Sequence, residues 1–218
     1  VLPQAAQFTL VPLCCLFVFV PLTIMVFGPI SSVVANGIAA AYGLLSQYTI
    51  PTGIIFGAFF GLVILLGMHW AVLPLELDVL MRQGSEFSLA CGGMANYAVL
   101  GICLAVFLLS KKNEDKQVAG SAALSLGLCG ISEPGMYGVI LKNKLFIAAM
   151  CLAGGIGGLI QALLGVACTN FAFAGLLSFG GWLGCINLPG YIISIVVAVG
   201  LGFVFAAMIL KADARKAA

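Results

Sequence analysis

The sequence predicts an all-α integral membrane protein, a polytopic helix bundle, from its composition and from the length of its apolar runs. Of 218 residues, 63% are apolar and only 7% are charged, and the mean hydropathy is +1.22. Soluble domains carry about a quarter charged residues. The runs are long and do not alternate as outer-membrane strands do, and at about twenty residues per crossing they leave room for about six spans. A net charge of +2 is too small to predict a nucleic-acid partner.

The cysteines and the single histidine do not support a metal or redox site. None of the eight cysteines forms a Cys-x-x-Cys pair, and most lie inside apolar runs. His69 is far from any pair of cysteines, which disfavours zinc. The thiols are expected to pack as small apolar groups. We therefore expect no metal and no cofactor.

The first predicted domain, residues 1–50, contains one span and an interfacial segment. The apolar run 10–30 has two prolines, which neighbouring helices in a bundle tolerate. Residues 31–47 mix small and polar side chains and are predicted to lie along the membrane interface, with a second crossing as the alternative. We expect this domain to serve as a scaffold.

The second predicted domain, residues 51–218, is expected to bind and transport the substrate. It begins with an apolar run, 53–68, whose glycines recur at four-residue spacing and line one helix face for close packing. Residues 71–88 contain Pro74 and four charged side chains, too many for a span. They predict an external loop or a hairpin folded into the protein. Residues 89–109 predict a further span.

The C-terminal half alternates polar and apolar stretches. Residues 110–117 predict a charged, solvated loop, and 118–138 predict a second hairpin that dips into the membrane. Apolar runs follow at 145–168, 171–186 and 191–210. A glycine cluster in the first of these runs predicts close helix packing, with a substrate-facing gap as the alternative.

The basic residues conflict with this count of crossings. Lysines at 111–116 and basic residues at 211–216 both belong on the cytoplasmic side by the positive-inside rule. Two stretches on the same side must be separated by an even number of crossings, but three apolar runs lie between them. Either one further segment crosses or one of the three runs does not, and 118–138 and 171–186 are the two candidates.

The stretch Gly130–Gly138 is the strongest candidate for a functional site. It reads Gly-Ile-Ser-Glu-Pro-Gly-Met-Tyr-Gly, and Gly130, Pro134 and Gly138 predict irregular backbone that forms the hairpin. Irregular backbone in lipid needs cover from protein or a water-filled cavity. Glu133 is the stretch's only charge, and an ionisable group at such a place is a functional candidate. The alternative for Glu133 is a surface loop at the membrane edge.

This stretch resembles the Gly-Ile-Thr/Ser-Glu-Pro-x-x-Tyr-Gly-Val signature of enzyme IIC. Enzyme IIC is the membrane sugar-transporting component of the bacterial phosphoenolpyruvate-dependent phosphotransferase system, here of the glucose superfamily. Blocks at 26–30, 67–70 and 120–124 resemble its β-glucoside branch in the same order. The resemblance implies the C-terminal part of that fold, with re-entrant hairpins and without the family's first spans. It also implies a homodimer in the bacterial cytoplasmic (inner) membrane.

The resemblance implies roles for single residues. It assigns His69 and Glu133 to sugar binding, and it gives Glu133 the catalytic task of positioning the sugar 6-hydroxyl for phosphate transfer. Trp70 and Tyr137 are expected to stack on the sugar or to mark the membrane interface. Asn96 is a weaker candidate, with an interhelical hydrogen bond as the alternative. The alternative for His69 is an interfacial histidine.

The expected function is to bind a β-glucoside and to transport it across the membrane, coupled to its phosphorylation. The sucrose, trehalose and N-acetylglucosamine branches usually have His-His where this chain has His69-Trp70, which favours the β-glucoside branch. This sequence has no phosphocysteine loop and no phosphoacceptor residue, so IIB and IIA are expected as partner domains or subunits. The alternatives are an ion-coupled secondary transporter, with Glu133 as the ion site, and a non-transporting truncated remnant.

Overall fold

The computed structural model of the chain describes residues 4–27, positions 29, 33, 37, 40, 43 and 44, and residues 48–216. The chain divides into two compact units, residues 1–44 and 45–218. The predicted all-α class is confirmed, because the described residues form helices with two isolated β-bridges and no strand. The predicted interfacial segment, 31–47, lies mostly outside the described residues. The assignment of 1–50 and 51–218 to a scaffold and a transport domain stays a prediction.

In the first unit, helix α1 spans Gln4–Leu22 and continues into a π-helical turn at Thr23–Phe27. Pro12 and Pro21 both lie within α1. Proline removes a backbone N–H donor and crowds the preceding turn, so the widened turn directly beyond Pro21 is where the regular hydrogen-bond pattern is expected to change. The apolar part, Leu10–Val26, lies at the position of the first predicted span.

The second unit is built from longer helices joined by short turns and two irregular regions. Its elements are α2 (Thr49–Leu65), α3 (His69–Gln83), α4 (Ser88–Leu109), α5 (Asn113–Leu124), a π-helical turn (Ser125–Cys129), α6 (Glu133–Gly138), a 3-10 turn (Ile140–Lys142), α7 (Lys144–Leu164), a 3-10 turn (Leu176–Ser178), α8 (Phe179–Trp182) and α9 (Leu188–Lys216). Among the described helices, α4, α7 and α9 are long and apolar enough to cross a membrane.

Helix α4 forms the centre of the second unit and packs against α2, α5, α7 and α9. Glycines bring these helices unusually close. A Cβ on Gly57 of α2 would collide with the carbonyl oxygen of Gly154 in α7, and a Cβ on Gly101 of α4 would collide with that of Val199 in α9. The glycine face of 53–68 and the glycine cluster of α7 therefore serve close helix packing, as predicted.

Two predictions of local structure are wrong. Residues 110–117 were predicted as a loop, but helix α5 already begins at Asn113. The two acidic residues in its first turn stabilise a helix N-terminus. Residues 171–186 do not form a span. They contain only a 3-10 turn and the single helical turn α8, in a stretch where glycines disfavour helix.

These corrections remove the conflict between the basic residues and the number of crossings. Asp115, at the start of α5, forms an ion pair with Lys142 at 2.8 Å, so the segment 118–138 returns to the end of the bundle where it began. Asn143 donates a hydrogen bond to Asp213 at 3.2 Å, which places the end of α9 there as well. Both basic stretches therefore lie at one end of the second unit. Along the chain, two crossings separate them, α7 and α9, which is an even number.

Candidate functional site

The stretch around Glu133 folds as two helical arms separated by a short break. The first arm ends at Cys129, Gly130 has φ +76°, and the second arm begins at Glu133. A positive φ favours glycine over any residue with a Cβ. Pro134 lies in the first turn of α6, where a helix does not need the N–H that proline lacks. The break therefore occupies residues 130–132, directly before the carboxylate.

Close packing fixes this break against a second irregular loop. A Cβ on Gly130 would lie 2.8 Å from the Cβ of Phe173, and one on Gly175 would collide with the backbone nitrogen of Gly130. On the other side, a Cβ on Gly138 would lie 2.7 Å from Cγ1 of Val118 in the first arm. The shape of the hairpin therefore depends on glycine at all three positions.

A cleft of about 340 Å³ opens beside Glu133. This volume lies within the range of small-molecule sites, about 300–1,000 Å³. The first residues of α3, the first half of α4, the break and the 171–174 loop all contribute to its lining. Its polar lining residues are His69, Asn96, Ser132 and Glu133, and its aromatic ones are Phe60, Trp70, Phe171, Phe173 and Trp182.

His69 and Glu133 lie next to each other in this lining. Nε2 of His69 is 4.0 Å from Oε1 of Glu133, too far for a direct hydrogen bond but close enough for one hydroxyl group to contact both. The side chains are 19% and 44% exposed, so a ligand has access to each. The other ring nitrogen of His69, Nδ1, is buried without a hydrogen-bond partner among the described residues.

Asn96 supplies a second buried polar atom in need of a partner. Its Oδ1 makes no hydrogen bond within the described part of the chain. Leaving such an acceptor unsatisfied costs about 1–3 kcal/mol, a cost that a hydroxyl donor would remove. The alternative role of Asn96, an interhelical hydrogen bond, is therefore not seen for this oxygen. Gln161 is also buried with both amide atoms unpartnered among these residues, but it does not line the cleft.

The two aromatic residues expected at the site have different places. Trp70 lines the cleft, is 61% exposed, and its ring centroid lies 5.2 Å from that of His69. Tyr137 is not among the described residues that line the cleft. Its hydroxyl donates a hydrogen bond to the carbonyl oxygen of Leu65 at 3.1 Å, at the end of α2 and shortly before His69.

The cleft has an aromatic wall that was not predicted from the sequence. Trp182 is 2% exposed, its ring stacks on that of Tyr191 at 4.8 Å, and its Nε1 donates to the carbonyl oxygen of Phe173 at 3.2 Å. These contacts hold the 171–174 loop against the break. The only signal was the presence of a second tryptophan, which the prediction of a span over 171–186 concealed.

Most of the chain matches a known protein family. The family model described as "Phosphotransferase system, EIIC" matches residues 1–155, which include His69, Asn96 and Glu133. The chain belongs to the EIIC family. The resemblance of the Glu-Pro stretch is thereby confirmed at the level of the family, and with it the prediction of a multi-pass protein of the cytoplasmic membrane.

Relatives of this EIIC chain are named for different sugars. It is 31% identical to the MurNAc-GlcNAc-specific EIIBC component of Staphylococcus haemolyticus, over 94% of this chain and 43% of that protein. It is 31% identical to the sucrose-specific EIIBC component of Bacillus subtilis (97% and 46%) and 32% identical to the β-glucoside-specific EIIBCA component of Halalkalibacterium halodurans (83% and 28%). The chain therefore spans less than half the length of these relatives, and the β-glucoside type is not singled out. No solved structure matches the chain.

The EIIC cleft combines groups that suit a ligand with many hydroxyls. A carboxylate accepts hydrogen bonds, a neutral histidine donates with one nitrogen and accepts with the other, and an amide does both. The aromatic side chains add flat apolar surface. In the part of the chain that the structure describes, no group of three His, Cys, Asp or Glu residues could hold a metal ion.

Proposed function

We propose that this chain binds a sugar in the cleft beside His69 and Glu133 and takes part in its transport and phosphorylation by the phosphotransferase system. One observation carries the proposal. The facing atoms of His69 and Glu133 are 4.0 Å apart, in a cleft where Asn96 presents an unpartnered acceptor. Membership of the EIIC family, together with relatives named as sugar-specific components, supports the sugar as ligand.

Glu133 is the proposed catalytic residue. Its carboxylate accepts a hydrogen bond from the sugar hydroxyl that attacks the phosphorus, and it takes up the proton as the new oxygen–phosphorus bond forms. The phosphoryl group leaves the phosphocysteine sulfur of IIB, which departs as a thiolate. His69 holds the same sugar through its Nε2, and Trp70 covers one face of the ring. Tyr137 as a further sugar contact stays a prediction.

The phosphate donor in this proposal is a separate domain or subunit. Relatives are named as EIIBC and EIIBCA components, which supports IIB and IIA as the partners that pass phosphate to this chain. We propose that the working unit is a homodimer in the membrane. We also propose a β-glucoside as substrate, because Trp70 lies beside His69 in the cleft and one relative carries that name.

The test uses the complete protein in membrane vesicles, with IIA, IIB and phosphoenolpyruvate supplied. Labelled aryl-β-glucoside, sucrose and MurNAc-GlcNAc are offered in parallel, and sugar phosphate is measured. We expect Glu133→Gln to lower phosphorylation by about 100-fold or more, the usual contribution of a positioned acid–base group. Glu114→Gln, at an exposed acidic residue of α5, is the matched control and should leave it unchanged.

The outcomes separate the candidate functions. Phosphorylation of sucrose or MurNAc-GlcNAc alone would keep the function and replace the substrate. Free sugar that accumulates with an ion gradient would instead indicate a secondary transporter. Full phosphorylation by Glu133→Gln would contradict the catalytic role.

A further inference from the structure

A second acidic cluster lies behind the wall of the cleft. Glu76 of α3, Glu86 of the connection to α4 and Ser88 at the start of α4 are 0%, 3% and 1% exposed. Leu73, one turn before Glu76, and Leu89, directly after Ser88, both line the cleft. The cluster is therefore buried, and residues close to its members in the sequence line the proposed sugar site.

The geometry of this cluster favours a proton on one carboxyl group. The Oγ of Ser88 is 2.7 Å from Oε1 of Glu86 and 3.2 Å from Oε1 of Glu76. A hydroxyl group has a single hydrogen to donate. With both carboxyl groups ionised, Ser88 could satisfy only one of them, and the other contact would join two acceptors. A proton on one carboxyl group turns both contacts into hydrogen bonds.

Glu86 has the surroundings of the ionised partner. Its Oε1 accepts the backbone N–H of Ser88 at 2.8 Å, and its Oε2 accepts the backbone N–H of Leu89. These N–H groups belong to the first turn of α4, where the helix dipole favours a negative charge. Backbone hydrogen bonds in both directions to Cys168, each 2.8 Å, hold Glu86 in place. The negative charge of Glu86 is therefore stabilised by these N–H groups and by the N-terminus of α4.

Glu76 has the surroundings of the neutral partner. Its Oε2 is buried without a hydrogen-bond partner among the described residues, which is costly for a charged carboxylate. Among the described residues, the titratable groups that face it are Glu86 and the thiols of Cys91 and Cys168, none of which carries a positive charge. Burial, reinforced by the charge of Glu86, raises the pKa of Glu76 to about 8. Helix α3 lies outside the three helices that are candidates to cross the membrane.

We propose that Glu76 is a proton-binding, positioning residue. Its neutral carboxyl group donates to the Oγ of Ser88, and the hydroxyl of Ser88 donates in turn to Glu86. This relay ties α3, whose first residues are His69 and Trp70, to the start of α4. Loss of the proton puts a second negative charge next to Glu86 and removes one hydrogen bond, so α3 is held less firmly and the cleft loses its shape.

The proton itself is measured by infrared difference spectroscopy during a pH titration of the complete protein in lipid nanodiscs. We expect a carbonyl stretch of a protonated carboxylic acid that disappears with a midpoint near pH 8. Glu76→Gln should lack this band. Asp78→Asn should keep it, because Asp78 lies on the same helix but is exposed and paired with Arg82 at 2.8 Å. Ser88→Ala removes the relay oxygen and should move the midpoint.

Three results would overturn the proposal. They are the absence of the band, its presence in Glu76→Gln, and a response to sodium in place of pH, which would indicate a bound cation. An unchanged midpoint in Ser88→Ala would contradict the relay. None of these readouts needs a sugar, so they hold or fail independently of the proposed function.

The positioning effect rests on the proposed function and has its own readout. The dissociation constant of the sugar should rise by about tenfold between pH 7 and pH 9 in the native protein, equivalent to about 1.4 kcal/mol. It should stay nearly constant in Glu76→Gln, whose amide keeps a donor without a charge. Equal pH profiles for the two proteins would contradict the positioning role, even if the infrared band is present.

Discussion

Glu133 and Glu76 are the same type of residue in opposite surroundings. Glu133 is 44% exposed, follows a backbone break and lies 4.0 Å from a histidine. Glu76 is fully buried within a regular helix, and the charge of a second carboxyl group, that of Glu86, acts on it. The first is placed to meet a ligand and the second to bind a proton. We infer that the environment of a carboxyl group, and not its presence in an apolar chain, determines its role.

The largest expected effect concerns the break that exposes Glu133. Gly130→Ala should lower the free energy of unfolding by about 2–4 kcal/mol, because it combines a left-handed backbone with a clash against Phe173. Gly165→Ala is the matched control. Gly165 has φ +63°, but an added Cβ would meet no described atom within 4 Å, so only the backbone cost of about 1 kcal/mol applies. Chemical denaturation measures both, and equal losses would contradict the packing of the break.

The next effect compares the two buried acids. Glu86→Gln should lower the free energy of unfolding by about 1.5–3 kcal/mol, since an amide replaces a carboxylate that accepts two backbone N–H groups. Glu76→Gln should leave the free energy of unfolding at pH 7 unchanged or raise it, because native Glu76 must take up a proton on folding and the amide needs none. Denaturation of the two variants at pH 7 provides the comparison. A larger loss for Glu76→Gln would mean that Glu76 is the ionised partner.

The pH dependence of stability follows from the same difference. Glu76 has a pKa of about 8 in the folded protein and about 4.5 as its ordinary value. The folded state therefore binds more protons between these values, and the contribution of Glu76 to stability is complete below pH 4.5 and is lost as the pH rises through 8. Unfolding curves of native protein and Glu76→Gln between pH 5 and 9 test this. Parallel curves would contradict it.

These residues also show how much the sequence predicts. The spans predicted at 89–109, 145–168 and 191–210 agree with α4, α7 and α9 within a few residues, because apolar runs of that length have few alternatives in a membrane. The break at Glu133 was predictable from its glycines and proline. The proposed relay of Glu76 was not predictable. It depends on the contacts of the Ser88 hydroxyl with the carboxyl groups of Glu76 and Glu86, and these contacts are determined by how the helices pack.

A smaller effect concerns the cleft wall. Asn96→Ala should raise the dissociation constant of the sugar by about five- to tenfold, equivalent to about 1–1.4 kcal/mol, while stability stays equal or increases, because a buried unpartnered oxygen is removed. Gln161→Leu is the control, since Gln161 is buried and unpartnered among the described residues but does not line the cleft. It should leave sugar binding unchanged. Equal binding by native protein and Asn96→Ala would remove Asn96 from the site.

The smallest effect concerns Tyr137. Tyr137→Phe removes the hydrogen bond to the Leu65 carbonyl oxygen and should lower the free energy of unfolding by about 0.5–1.5 kcal/mol. If Tyr137 acts only through this contact, the sugar affinity should change less than twofold. A larger change in affinity than in stability would restore Tyr137 as a direct sugar contact. Equilibrium binding and denaturation of the one variant decide this.

Binding of a sugar beside His69 and Glu133 can be measured by equilibrium titration without any phosphate donor. Labelled sugar is titrated into the complete protein in nanodiscs, with His69→Ala, Glu133→Gln and the control Glu114→Gln alongside. We predict dissociation constants at least about tenfold higher for the first two variants, equivalent to about 1.4 kcal/mol each, and no change for the control. Native affinity in both His69→Ala and Glu133→Gln would mean that the sugar binds elsewhere.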